Sequence, residues 1–173
     1  MNILVATDGS APSARAVAEA VKLAKQLDAR VVLLNVIEPG HLNPAYRAMA
    51  EAEIGGPADL PAMPMALLDA FPGLNALEAV QALESHTQAV SQLVSDRVLD
   101  EAERAAAHAG IHDVKKVSAV GDAAQEIVKT AASVGADLVV VGRRGLGEVA
   151  ELALGSVSQK VLHRAGRNVL VVS

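Results

Sequence analysis

The chain has 173 residues, of which 51% are hydrophobic, and this suits one globular domain with a sizeable core. It contains no cysteine and only two aromatic residues, which excludes disulfides and thiolate chemistry and disfavours a groove that stacks single-stranded bases on aromatic rings. Residues 38–110 hold 11 acidic and 3 basic side chains, against 9 and 12 in the remainder, and this acidic middle argues against nucleic acid as a partner.

The N-terminal residues carry no sign of export. They lack the basic stretch and the small-residue cleavage site of a signal peptide, and Asp8 follows after a short apolar run. No apolar run in the chain approaches the roughly 18 residues that would span a bilayer. We therefore expect a cytoplasmic protein with no membrane partner.

The first 38 residues predict a strand, a helix and a second strand. Residues 3–6 and 31–36 are short apolar runs without strict alternation, which is typical of strands covered on both faces. Between them, Ser10 can cap a helix whose apolar positions recur at spacings of three and four. The pattern is that of one βαβ unit.

The middle of the chain interrupts this rhythm. Six of the seven prolines and three of the four methionines fall in residues 39–72, which indicates an insertion over about 39–73 that could act as a lid or an interface. Residues 45–54 could form a short helix. Residues 74–109 then predict either one helix of about 50 Å or two helices separated by a bend, ending at Gly110. Because Gly110 separates His108 from His112, we interpret these histidines as surface residues rather than metal ligands.

The last third returns to alternation. Strands are predicted at 114–120, 138–141 and 169–172, with helices near 123–134 and 156–165, and Asp122 with Gln125 resembles a capping box. Alternating strands and helices predict an α/β fold: a single, doubly wound, Rossmann-like domain over residues 1–173. It would have a five-stranded, mainly parallel sheet with helices on both faces.

The segment between the fourth strand and the last helix is rich in glycine, and three interpretations compete. A P-loop needs a lysine, and residues 142–156 contain none. Residues 145–150 match the dinucleotide pattern G-x-G-x-x-A, but that pattern belongs after the first strand of its fold. The third interpretation is the G-x2-G-x9-G-S run from Gly142, in which bare glycines and a helix N-terminus hold phosphate oxygens. The alternative is that these glycines bind no ligand and only form the turn that packs the helix against the strand.

Four motifs together resemble the universal stress protein family. They are VATDGS at 5–10, LNVI at 34–37, GD at 121–122 and the G-x2-G-x9-G-S run, and the match covers about residues 1–38 and 111–173. In that family the spaced glycines are typical of the members that bind ATP. The resemblance therefore implies an adenine nucleotide, ATP or its shorter forms ADP and AMP, at the carboxyl ends of the strands.

The resemblance also implies which residues contact the nucleotide. Ala6, Thr7 and Asp8 would line the ribose and the phosphate-metal side, and the main chain of Val36 would meet the adenine edge. The turn at Val141, Gly142, Arg144 and Gly145 would follow the ribose and the phosphates. Gly155, Ser156, Val157 and Ser158 would hold the phosphates at the start of the last helix. Asp8, at the end of a strand, suits a Mg²⁺ ion held through water.

The expected function is regulation of a stress response by ATP-dependent conformation or assembly. No general base is evident near the glycine turn, so no catalytic residue is assigned and we expect ATP hydrolysis to be slow or absent. The family implies a homodimer, or a larger assembly, formed through the strand at 169–172. The alternative is a nucleotide-free module that regulates a protein partner, such as a transporter or kinase, through the acidic middle segment.

Overall fold

The computed structural model describes residues 1–38, 44–54, 73, 75–143 and 154–173. The strands in this part of the chain are β1 (Asn2–Ala6), β2 (Arg30–Ile37), β3 (Val114–Val120), β4 (Leu138–Gly142) and β5 (Asn168–Val172). The helices are α1 (Ala11–Leu27), α2 (Pro44–Ile54), α3 (Ala76–His108), α4 (Ala123–Ser133) and α5 (Ser156–Arg164).

The five strands form one sheet in the order β3-β2-β1-β4-β5. Every neighbouring pair is parallel, with Ile3 of β1, for example, paired to Val31 on one side and Leu138 on the other. The predicted α/β fold with a parallel, doubly wound sheet is thereby confirmed. The sequence could show this because the central strands are apolar along both faces, as sheets covered by helices on both sides require.

Two hydrophobic clusters cover the two faces of the sheet. On the first, which we call the α1 face, α1 and the C-terminal part of α3 pack on alternate residues of the central strands, such as Ile3, Val5 and Leu33. On the second, the α4 face, α4 and α5 pack on the intervening residues, such as Leu4 and Leu34. The period-two alternation along each strand therefore decides which helix each side chain meets.

The structure has the two predicted helix N-caps and the predicted glycine at the end of α3. Ser10 caps α1 by accepting the Ser13 N–H at 3.3 Å, and Asp122 caps α4 by accepting the Gln125 N–H at 2.9 Å. Gly110 follows the end of α3 with a φ of +88°, in the left-handed region that glycine adopts most readily. The capping at both helix starts fixes where the chain leaves the strands that precede them.

The chain divides into two compact units. One contains the sheet, α1, α4, α5 and α3 from Ser95 onward, and the other contains α2 and α3 up to Val94.

Over its 33 residues α3 is one continuous helix, so the alternative of two helices with a bend is wrong. The predicted short helix at 45–54 is confirmed as α2, whereas most of the expected insertion, 39–43 and 55–72, lies outside the described residues. Among the described helices, none is both long and apolar enough to cross a membrane.

Candidate functional site

The parallel sheet brings most of the predicted site residues to one edge. Ala6 ends β1, Val36 lies one residue before the end of β2, and Val141 and Gly142 end β4, so all four lie at the carboxyl edge of the three central strands. From β1 the chain proceeds to β2 on one side, and it returns to β4 on the other. This reversal of strand order beside β1 is the place where open α/β sheets bind their ligands.

The turn after β1 is built around the carboxylate of Asp8. Its Oδ1 accepts the Ser10 N–H at 3.0 Å, and the intervening Gly9 has a φ of +76°, a conformation that favours glycine. The side chain of Thr7 is buried and its hydroxyl lies 3.1 Å from the Ser13 hydroxyl. Asp8 is therefore held by the start of α1, while the Thr7 side chain belongs to the packing beneath the turn.

A buried amide, which sequence reasoning treated only as part of a motif, supports this turn from β2. Asn35 donates from Nδ2 to the Thr7 carbonyl oxygen at 2.7 Å, and the Thr7 N–H in turn donates to the Leu34 carbonyl at 2.9 Å. Both bonds lie between the ends of β1 and β2. The only sequence signal for this role is a polar residue within an otherwise apolar strand.

The exit of β2 is tied to the start of α4. Glu38 accepts the Ala123 N–H at 2.7 Å, and the Gly121 N–H donates to the Ile37 carbonyl at 3.1 Å. Glu38 follows Val36 closely, so this carboxylate fixes the chain next to the residue expected at the adenine edge. Sequence reasoning missed Glu38, because its partner lies 85 positions away.

The N-cap of α4 also contacts α5. Lys160 lies 3.3 Å from the Asp122 carboxylate. The pKa of Asp122 is lowered below its ordinary value of 3.8, first by the hydrogen bond from the Gln125 N–H and, against an opposing desolvation, by the hydrogen bond from Lys160. The charged carboxylate is thus the form that joins α4 and α5 at the carboxyl edge.

The end of β4 is fastened to the start of α5 through main-chain carbonyls. The Gly155 N–H donates to the Arg143 carbonyl at 2.8 Å, and the Ser158 hydroxyl lies 2.7 Å from the Gly142 carbonyl and 3.2 Å from that of Arg143. Gly155 and Ser158, two of the residues that the family resemblance assigned to the phosphates, therefore already use the Gly155 N–H and the Ser158 hydroxyl in bonds within the protein. The contact of Ser158 with a phosphate would have to be made by its main chain.

The remaining donors at the start of α5 are the main-chain N–H groups of Ser156, Val157 and Ser158. The first turn of a helix leaves such groups without an intrahelical partner. Gly155, the N-cap, has no side chain to accept from them, and no side-chain cap bond is formed here. Three N–H groups and the positive end of the helix are thus available to an anion, within the part of the chain that the structure describes.

Arg144 and Gly145, the other two predicted site residues, lie outside the described residues, as does the whole of 144–153. The described residues contain no cluster of three or more metal-ligating histidine, aspartate or glutamate side chains. Asp8, the residue predicted to hold Mg²⁺ through water, lies within the described part of the chain, where its Oδ1 accepts the Ser10 N–H.

A small concavity on the α1 face shares Thr7 and Gly9 with the turn after β1, but it is too small to be a nucleotide pocket by itself. Its volume is about 150 Å³, below the roughly 300 Å³ at which ligand pockets begin. Its lining consists of Thr7, Gly9, Ala14, Val17, Val98, Glu101, Ala102 and Ala105. The carboxyl edge of β1, β2 and β4 remains the candidate site.

Comparison with known proteins agrees with the motifs. The sequence model of the universal stress protein family matches residues 1–173. The chain belongs to the universal stress protein family. Among its relatives, the universal stress protein YxiE of Bacillus subtilis is 29% identical over 170 residues, which cover 98% of this chain and 97% of that protein. A second, from Methanocaldococcus jannaschii, is 39% identical over 59 residues, which cover 34% and 36% of the two chains.

Solved universal stress protein structures share the fold. A crystal structure of a universal stress protein in complex with cAMP superposes with a TM-score of 0.62 at 27% identity, covering 100% of this chain and 97% of that one. A structure from Archaeoglobus fulgidus, in complex with dAMP, superposes with a TM-score of 0.59 at 16% identity, covering 100% and 98%. The second likeness concerns the fold alone.

Proposed function

We propose that this universal stress protein binds an adenine nucleotide, ATP with Mg²⁺, at the carboxyl edge of β1, β2 and β4, and that the bound state regulates a stress response through conformation or assembly. The observation that carries the proposal is the uncapped start of α5, fastened beside the end of β4 and on the same sheet edge as the Asp8 turn. A universal stress protein of 27% identity that is solved with cAMP supports the class of ligand.

Each part of the site would take one part of the nucleotide. The main-chain N–H groups of Ser156, Val157 and Ser158 would hold phosphate oxygens, and the helix dipole would favour their negative charge. Asp8 would share a Mg²⁺ ion with those oxygens, whose charge the ion would partly neutralise. The main chain at Val36, held by the β2–α4 contacts, would receive the adenine edge.

The proposal is for binding rather than rapid turnover. Two carboxylates at this edge, those of Asp8 and Glu38, each accept a main-chain N–H. A carboxylate in that position serves structure or a metal ion more readily than it activates a water molecule. Phosphate release over many turnovers by the pure protein, lost in Asp8→Ala, would contradict this part of the proposal.

The assembly proposed with it is a homodimer through β5. Among the described strands, β5 lies at an edge of the sheet, and its apolar residues 169–172 are half-buried. Unpaired strand edges tend to associate with another strand, and the family resemblance implies the same surface. We include in the proposed function the cytoplasmic location that the sequence predicts.

The direct test is to denature freshly purified protein with acid and to chromatograph the supernatant for adenine nucleotides. Wild type should release nucleotide close to one per chain, or its Tm should rise with added ATP and Mg²⁺. Gly142→Val, which places a side chain at the buried end of β4, should do neither while circular dichroism shows that it is folded. If wild type releases none and its Tm is unchanged, nucleotide binding is refuted and the protein-interaction alternative becomes the leading one.

A further inference from the structure

Three contacts close the junction between β4 and α5. The Ser158 hydroxyl reaches the carbonyls of Gly142 and Arg143, at 2.7 and 3.2 Å, and the Gly155 N–H reaches the Arg143 carbonyl at 2.8 Å. Ser158 is 3% exposed, so water cannot readily take the place of the carbonyl groups that its hydroxyl contacts. The Arg143 N–H is also engaged, since it donates to the Val172 carbonyl at 2.6 Å.

These contacts matter electrostatically to an anion at the start of α5. Carbonyl oxygens at the end of a strand carry partial negative charge, and two such oxygens next to a phosphate would oppose its binding. A hydroxyl hydrogen shared between the two carbonyls offsets part of that charge. The same bonds fix the first turn of α5 relative to β4, so its N–H groups need not be reoriented when an anion arrives.

We propose that Ser158 is a positioning residue of the nucleotide site: its hydroxyl fastens the first turn of α5 to the end of β4 and so presents the N–H groups of Ser156–Ser158 to the phosphates. This differs from direct contact between the hydroxyl and a phosphate, and it rests on the proposed function. The role predicts a selective effect, because only the phosphate end of the ligand depends on α5. Affinity for ATP should depend on the hydroxyl, and affinity for adenosine should not.

The experiment compares Ser158→Ala, Ser158→Thr and wild type by calorimetric titration with ATP and with adenosine. Ser158→Ala should bind ATP about tenfold more weakly, the size of effect that loss of one buried hydrogen bond produces, and should bind adenosine as wild type does. Ser158→Thr keeps the hydroxyl and should restore most of the ATP affinity. Ser133→Ala is the matched control, because its hydroxyl donates to the Thr130 carbonyl at 3.0 Å on α4.

A measurement without nucleotide tests the same role. In Ser158→Ala, the amide of Gly155, which donates to Arg143, should exchange its hydrogen about tenfold faster than in wild type. Where the alanine variant does not fold, Ser158→Cys supplies the comparison with a weaker donor of similar size.

The outcomes separate this inference from the proposed function. Wild type that binds neither ATP nor adenosine refutes the proposed site itself, and the inference with it. Wild type that binds ATP together with a Ser158→Ala variant of unchanged ATP affinity overturns only the positioning role. Equal losses for ATP and adenosine would show that Ser158 supports the fold in general, and would also overturn it.

Discussion

Asn35 and Thr7 are joined by a hydrogen bond of 2.7 Å between two buried residues, from the side-chain amide on β2 to the main-chain carbonyl at the end of β1. This bond crosses the gap where the two strands part and the turn containing Asp8 begins. It therefore ties the strand expected at the adenine edge to the turn expected at the metal side. A buried carbonyl that lost this donor would remain without a partner, which costs about 1–3 kcal/mol.

Asn35→Asp should consequently destabilise the protein by about 2 kcal/mol, because a carboxylate oxygen would lie against the Thr7 carbonyl in place of the amide donor. The free energy of unfolding in urea measures this. The matched control is Asn168→Asp, the same change at an exposed residue of β5, which should alter stability by less than about 0.5 kcal/mol. Equal stability of the two variants would mean that the amide bond contributes nothing.

Asp8→Asn separates the charge of the carboxylate from its role in the turn. The asparagine keeps an oxygen for the Ser10 N–H, now 3.0 Å from Asp8 Oδ1, so the turn should persist. The negative charge for Mg²⁺ is lost, and adding Mg²⁺ should no longer strengthen ATP binding in a calorimetric titration.

The control for that change is Asp28→Asn. Asp28 is exposed and has a φ of +48° at the end of α1, a conformation that asparagine tolerates well. This variant should keep the response of wild type to Mg²⁺. If Asp8→Asn keeps it as well, Asp8 is not the metal-side residue.

The element pattern could be predicted from sequence because its signals are local. Ser10 and Asp122 cap helices through residues only three positions away, and the apolar runs of β1 and β2 reflect burial on both faces. The site contacts are different, since Glu38 and Ala123 are 85 positions apart. Nor does the sequence show that the Ser158 hydroxyl turns to the end of β4, because this follows from how α5 packs.

The ion pair between Asp122 and Lys160 predicts a dependence of stability on acid pH. The hydrogen bonds from the Gln125 N–H and from Lys160 lower the pKa of Asp122 below 3.8, so the folded state favours the charged form. This contribution is present above pH 3.8 and is lost as the pH falls through the lowered pKa. The Tm of wild type should therefore exceed that of Asp122→Asn near neutral pH, and the two values should converge in acid. If the difference in Tm stayed the same in acid, the Asp122 carboxylate would not be its source. The same would follow if Asp113→Asn, the control at an exposed site, changed the Tm equally.

A second ion cluster predicts a dependence at alkaline pH. Hydrogen bonds from Lys116 to Glu103 at 2.7 Å and Asp100 at 2.9 Å, in that order of effect, raise its pKa from 10.5 to about 12. The stabilisation is complete below pH 10.5 and disappears as the pH rises through about 12. The Lys116 side chain is 36% exposed, so solvent screens its ion pairs. Lys116→Met should therefore lower the free energy of unfolding by at most about 1 kcal/mol. Lys115→Met, at the neighbouring exposed lysine, should show no such change in urea unfolding at moderately alkaline pH.

The proposed homodimer can be tested through a main-chain N–H on the outer side of β5, which is an edge strand among the described residues. Since the Val172 carbonyl accepts the Arg143 N–H, the polar main-chain groups of Val172 face β4, and those of Val171 face outward. Val171→Pro removes an outward N–H while leaving the bonds to β4, so it should convert a dimer to a monomer in sedimentation at tens of micromolar with little loss of Tm. Leu170→Pro is the contrasting variant, because its N–H faces β4 and its loss should lower the Tm as well. Wild type that sediments as a monomer at this concentration would rule out the homodimer.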